Sequence, residues 1–590
     1  MSKRSFIHRP PHHLPTSARA ARTAGALLLA GAALIACENT GGGTPDAGDN
    51  PNCSALVTAD VQCQGAACSA TTGTKTFGIS DLASSVAKDW LVLSYATNEV
   101  SAADVAVNYA SEAAGGLTPK IAARSPRHGN YSAEDQARLT RLQNEALLRQ
   151  ASIRGPIQGP AFGTAVRGVD LLPPGVRKQT QTCSADAPKS CGAGTICVIP
   201  EGMTAGTCEG TVMLKFKLNQ PDVTTIAATV KKVGESIAIV VDPADNLSDA
   251  DATELVRRFD SHIGPTDQAL FGEAKQAGKD RDGNGVVMVL VTSKLATALP
   301  GTVGIFFRDD LRTTAEAAHS NAADLLYVAP LGGSITLDSL SGTIAHEYEH
   351  LINFYAKVLI NHSDQEETWL DEGLATFAED VNGYGRDAYG NVKLFLDAAG
   401  SVSLNGPGVG LSGPDSLERR GMAALLVRYL FEQKGSADFA ATGAPTDKGG
   451  LAAVKKMVQS AETGLDVVNA VENGKTYGDW LKDFLLTVAI DGSTTPSFSC
   501  LKKYNLEAPA TDGFTGFQRG LDLRGTVTVT GGTNIVLHGP QTTTFMTEEG
   551  VPLPENGGDF RTVSVPSGTT KVSLGGPVDA HLFLVAIPKP

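Results

Sequence analysis

His346-Glu347-Tyr348-Glu349-His350, followed by Glu372 within Trp369-Leu370-Asp371-Glu372-Gly373-Leu374-Ala375, is the densest set of chemistry-bearing residues in the 590-residue chain. On a helix, residues four apart share one face, so both imidazoles can reach a single metal ion while Glu347 stands beside the open coordination position. A catalytic zinc takes three protein ligands and keeps a fourth place for water, and two histidines with one carboxylate leave such an opening. His346, His350 and Glu372 are therefore the candidate metal ligands, and Glu347 is the candidate general base. The chemistry is hydrolysis by a metal-activated water, in which Glu347 takes the proton and later delivers it to the leaving amine.

The flanking residues fit two buried helices. Apolar residues recur at 344, 348, 351, 352 and 355 in a helix-like rhythm around the first motif. Around Glu372 the apolar residues Trp369, Leu370, Leu374, Ala375 and Phe377 leave one carboxylate that is expensive to bury without a cation. Zinc would be that cation.

The runs SGTIAHEYEHLINFYAKVLI and ETWLDEGLATFAED resemble the gluzincin metallopeptidases, and most closely the hyicolysin-type neutral zinc peptidases. The likeness spans roughly residues 235–495 and is specific from Leu340 to Asp380. It implies a thermolysin-like catalytic domain, zinc on His346, His350 and Glu372, Glu347 as base, and protein or peptide substrates. Asp371 departs from the Asn common before the glutamate, which puts a contact around the metal or the substrate in question. No histidine occurs between His362 and His538, so a thermolysin-like downstream histidine is missing. Tyr384 is the preferred candidate for stabilising the oxyanion, with Tyr389 and Tyr429 behind it. An endopeptidase is the leading reading. A zinc aminopeptidase shares W-L-x-E-G-x-A but lacks here a G-A-M-E-N-like run, and a catalytically inert surface-binding lipoprotein on a peptidase fold is opposed by the intact Glu347.

The N-terminus points to export. The first thirty-six residues carry five basic and no acidic side chains, and the apolar run Ala24–Ala36 is too short to cross a bilayer of about 30 Å. Leu34-Ile35-Ala36-Cys37 resembles the lipobox of bacterial lipoproteins, which makes residues 1–36 a signal peptide and Cys37 the lipidation site and membrane anchor. Residues 37–52, rich in Gly, Pro, Asp and Asn, read as a flexible tether. Glu38, in place of Asp after the cysteine, favours the outer membrane or cell surface by the same resemblance.

Eight further cysteines, an even number in an exported chain, suggest disulfides. Cys183, Cys191, Cys197 and Cys208 form a cluster with neither C-x2-C spacing nor a nearby histidine, so a knot of disulfides is expected over a zinc finger; Cys500 is expected to close a long loop to Cys53, Cys63 or Cys68. The formal charge of −14 disfavours binding to nucleic acid or anionic lipid. Asp280-x-Asp282-x-Asn284-Gly285 resembles the start of a calcium loop, yet its twelfth position is Val291 where an EF-hand needs Glu. A tight turn into the strand Val286–Thr292 is the first reading, and Ca2+ at Asp280, Asp282 and Asn284 the second.

The expected architecture is α+β and multidomain. Residues 53–210 form an N-terminal region with the cysteine clusters and alternating β segments, compatible with a removable pro-segment. Residues 211–500 form the catalytic domain, with strands first and helices afterwards. Residues 501–590, with Thr/Val/Gly alternation from about Leu521, form a C-terminal β-sandwich-like domain.

Overall fold

A computed structural model describes residues 57–59, 74–84, 88–97, 105–113, 181–218, 222–406, 415–492, 504–529, 534–565, 567–577 and 581–588. Cys37, the tether, Cys53, Cys63, Cys68 and Cys500 lie outside the described residues, so the expectations placed on them stay as such. The observed class is α+β.

The strands β1 (Thr211–Phe216), β2 (Thr224–Val233), β3 (Ile237–Val241), β4 (Val287–Val291), β5 (Gly304–Phe306) and β6 (Leu325–Val328) make one six-stranded sheet in the order β5-β6-β4-β3-β2-β1. The central strands β3, β4 and β6 run parallel, with Ile237 beside Val287 and Met288 beside Leu325. Their sequences, IAIVV, VMVLV and LLYV, are unbroken apolar runs, as expected for parallel strands covered on both faces. Alternation sorts the side chains. Ile239, Val289 and Leu326 face the helical core, whereas Val240, Leu290 and Tyr327 join a second core with β1 and β2. β5 closes the sheet as an antiparallel edge, Ile305 opposite Tyr327.

Helices α1 (Asp249–Arg258), α2 (Leu337–Phe354), α3 (Thr368–Val381), α4 (Arg386–Asp397) and α5 (Leu417–Gln433) build the helical layer. α2 starts at a capping box in which Thr336 accepts from the Ser339 amide and Ser339 returns the bond, and Arg258 of α1 pins its first turn through Asp338 at 2.7 Å. Every residue from Leu340 to Phe354 except Thr343 is buried. The helical rhythm read at 344, 348, 351 and 352 is thus the core-facing set of a helix covered nearly all round.

The cysteine cluster is a small three-stranded module with the bridges Cys183–Cys197 and Cys191–Cys208. It carries disulfides, as its spacing implied.

The terminal regions correct the expected layout. The strand Lys88–Thr97 lies between Gly557–Val565 and His581–Pro588, with Leu93 opposite both Phe560 and Val585. Thr74–Ser84 and Val105–Ala113 in turn flank Gly568–Pro577 in a second sheet. The N-terminal and C-terminal β regions are therefore one composite sandwich with a shared core of Val92, Val107, Val563, Val572 and Leu584, and not two domains. The outer face of the first sheet, through Leu91, Leu93, Tyr95, Phe583 and Val585, packs into the helical core beside the helix Tyr477–Ile490. Thr526–Thr528 also departs from expectation. It pairs with Asn534–Val536 in a separate ribbon whose Val527 and Ile535 pack on the helical core.

This interleaving argues against residues 53–210 as a removable pro-segment, because loss of Lys88–Thr97 and Val105–Ala113 would strip both sheets of central strands and bare the apolar faces of Phe560 and Leu584. A chain begun at Gln181 should melt at a lower temperature than the full chain and bind a hydrophobic dye. Unchanged melting without dye binding would show that the N-terminal strands are dispensable.

Candidate metal centre

α2 and α3 carry the predicted ligands, and close helix packing sets their separation. At Gly373, next to Glu372, an added Cβ would lie 2.7 Å from the Ala423 Cβ of α5, so only glycine permits this approach. The approach brings Arg420 of α5 onto the Glu372 carboxylate. Glu372 is fully buried, and burying a carboxylate this way is tolerable only among cations and donors.

Ligand atoms of His346, His350 and Glu372 lie within 4.8 Å of one another. Both imidazoles turn Nε2 inward: His346 Nε2 is 3.5 Å and His350 Nε2 3.9 Å from Glu372 oxygens. The rings stand nearly perpendicular, at 78°. Behind them, His346 Nδ1 meets Glu379 Oε1 at 2.8 Å and His350 Nδ1 meets Asp371 Oδ1 at 3.1 Å. Ionised carboxylates only accept, so each Nδ1 carries the proton and each Nε2 presents a lone pair to the centre. This donor set, two imidazole nitrogens and one carboxylate with their outer nitrogens occupied, suits zinc.

Glu347, on the same helix, accepts a hydrogen bond from the Phe306 amide of β5 at 2.7 Å. The edge strand can come so close because Gly304 has no side chain; a Cβ there would lie 2.2 Å from Thr343 Cγ2 and 3.3 Å from Glu347 Cγ. Beside His350 opens a pocket lined by Ile305, Phe306, Phe307, Arg308, Asn353 and Phe354, among others. Glu349 does not line this opening, though one of its carboxylate oxygens lies 3.5 Å from His350 Nδ1. It is buried, accepts from Asn353 at 3.1 Å, and its carboxyl is raised well above the ordinary range by burial, then by the charge of Asp371.

Tyr384 is brought elsewhere. Its side chain packs one turn before His346 against Gly342, and its ring lies 5.9 Å from the Arg258 guanidinium, with burial raising the phenol to about 12. The Tyr389 hydroxyl donates to Asp380 at 2.6 Å, and Tyr429 packs in the core against Phe484 with the rings tilted by 55°. These placements do not support an oxyanion role for any of the three. The reading of Asp371 sharpens: a carboxylate in the usual Asn position holds His350 directly. Glu379, Arg420 and Arg308 escaped notice in the sequence. Glu379 had one available signal, since it lies seven residues, two helical turns, beyond Glu372 on α3.

Loss of such an outer partner costs about 10–100-fold in metal affinity in comparable sites. Glu379→Ala should weaken zinc binding by that factor in competition with a chromophoric chelator, while Tyr384→Phe leaves it unchanged. Wild-type affinity in Glu379→Ala would reduce the His346–Glu379 contact to packing.

Comparison with known proteins agrees with this geometry. Residues 208–394 match the Peptidase M30 family. Over 226 residues, 36% of this chain, the sequence is 27% identical to neutral metalloprotease ShpI of Staphylococcus hyicus, and the matched part spans 49% of that protein. The chain thus spans about half the length of the curated relative it matches. The paired imidazoles, Glu347 and Glu372 all lie inside the span that matches the Peptidase M30 family, residues 208–394.

Proposed function

We propose that the chain is a zinc endopeptidase of gluzincin type, acting on proteins or peptides, with His346, His350 and Glu372 as ligands and Glu347 as general base. The observation that carries this reading is the convergence of both Nε2 atoms on Glu372, with Glu347 held beside them by an edge-strand amide. Zinc bound there would supply a Lewis acid and a water acidified to a pKa of about 7.

The chain's own groups do the rest. Glu347 accepts the proton of the attacking water and returns it to the leaving amine, and the Phe306 amide keeps its carboxylate aimed at the reaction. Asp371 and Glu379 keep the imidazoles in the ligating tautomer. Among the described residues no strand pairs with the outer edge of β5, so an extended substrate can lie along it by strand addition. The apolar wall of Ile305, Phe306 and Phe354 suits an apolar substrate side chain.

An aminopeptidase needs an acidic anchor for the substrate ammonium beside the metal. The two acids nearest in sequence are engaged: Glu349 is sealed in the core and Asp371 holds His350. Purified enzyme should therefore cut N-acetylated and free peptides alike and give intermediate fragments from an unfolded protein. Glu347→Gln should keep its zinc and lose at least about 10²-fold in rate. Activity abolished by acetylation would favour the aminopeptidase, and a fully active Glu347→Gln would remove the general base. If wild type and Glu347→Gln were equally inert, the binding-lipoprotein reading would stand instead.

We further propose export with attachment to the outer membrane or cell surface through lipidated Cys37, on the support of the basic, then apolar, leader ending in Leu-Ile-Ala-Cys. Labelled palmitate should enter the wild-type chain, and Cys37→Ser should lose the label and move to the soluble fraction. Retention of Cys37→Ser in the membrane would contradict the anchor.

A further inference from the structure

The turn that enters β4 holds more acid than a turn requires. Asp280, Asp282 and Asp324 each place a carboxylate oxygen within 4.8 Å of the others. Asp324 comes from outside the turn. It directly precedes β6, and the parallel register that sets Met288 beside Leu325 carries it to the start of β4. The turn's backbone is satisfied by single oxygens: Gly285 N donates to Asp280 Oδ2 at 2.6 Å, Asn284 N to Asp282 Oδ1 at 3.1 Å, and Arg281 N to Asp324 Oδ2 at 2.5 Å. A separate fact points to a ligand. Asp324 is fully buried, and its Oδ1 has no hydrogen-bond partner among the described residues. Arg281 and Lys275 act on the cluster only at a distance, and Lys275 is ion-paired to Glu273 at 3.7 Å.

We propose that Asp280, Asp282 and Asp324 hold a calcium ion that clamps this turn to β6 and to the end of the active-site helix. The donors are all hard oxygens, with no histidine or cysteine in the cluster, which suits calcium and not zinc. At calcium–oxygen distances of 2.3–2.6 Å, opposite ligands stand about 4.6–5.2 Å apart, a span that three oxygens within 4.8 Å can meet. Val291, at the position where a calcium loop carries its glutamate, is buried in the core; Asp324 supplies the missing carboxylate from the neighbouring strand. Asn284 is corrected as a ligand. Its Oδ1 accepts from Val286 N at 2.9 Å and its Nδ2 donates to Asp282 at 2.8 Å, so it shapes the turn. Tyr355, which follows α2, has its buried hydroxyl near Asp324 with no hydrogen bond made among the described residues, and Lys279 ties the same turn to Asp186 of the disulfide module at 2.8 Å. The ion would thus join three parts of the fold.

The test uses full-length, zinc-loaded protein freed of calcium. Calorimetric titration should show about one calcium per chain, and added calcium should raise the melting temperature. Terbium at the site should give emission excited through Tyr355 and quenched by calcium; Tyr355→Phe should lose most of that emission yet keep the calcium-dependent rise. Asp324→Asn removes one of three crowded negative charges, so without calcium it should melt no lower than wild type, and it should lose the response to calcium. Should Asp324→Asn fail to fold, Asp282→Asn carries the same comparison. A wild-type melting temperature indifferent to calcium, or an undiminished rise in the folded carboxamide variant, would overturn the proposal.

Discussion

A carboxylate buried between two imidazoles is the constraint on which the catalytic half of this structure depends. Glu372 is out of reach of water, and leaving its charge unbalanced would cost several kcal/mol. α5 therefore comes close enough, over Gly373, for Arg420 to pair with it. Arg420 is shared with Asp415, at 2.9 Å, and the imidazoles already face Glu379 and Asp371 on their outer sides. Among the described residues, acid outnumbers base around the centre, which is the electrostatic setting a divalent cation completes.

The same packing explains why the edge strand lies where it does. β5 must be short and begin with Gly304 to rest on α2, and that contact delivers the Phe306 amide to Glu347. One strand thus holds the Glu347 carboxylate and, among the described residues, keeps its outer edge unpaired. The composite sandwich then supports this lobe from the far side, where Leu93 and Phe583 enter the core beside Trp480 and Phe484. Chain termini hundreds of residues from α2 in sequence contribute to the rigidity of the core that holds it.

What could be read from the amino-acid string follows from the range of the interactions. The His346/His350 pair, the buried helices and the apolar runs of β3, β4 and β6 are local patterns with periods of 3.6 or 2 residues, and the structure places them as their spacing implies. Pairings between distant segments leave no period. Leu93 opposite Val585, Asp324 beside Asp282, and Arg420 on Glu372 all depend on topology, so the strands of one sandwich read as two domains and the calcium-like turn read as incomplete. Tyr384 misled for a related reason: nearness to the motif in sequence does not say which way a ring turns, and this one packs by Gly342 and Arg258.

The most direct test of the account is anomalous scattering from a crystal of the purified protein, recorded on both sides of the zinc absorption edge. The account predicts one strong zinc peak within bonding distance of His346 Nε2, His350 Nε2 and the Glu372 carboxylate, near 2.0–2.2 Å from each. A zinc peak held by other residues, or none at this centre in fully active protein, would contradict it.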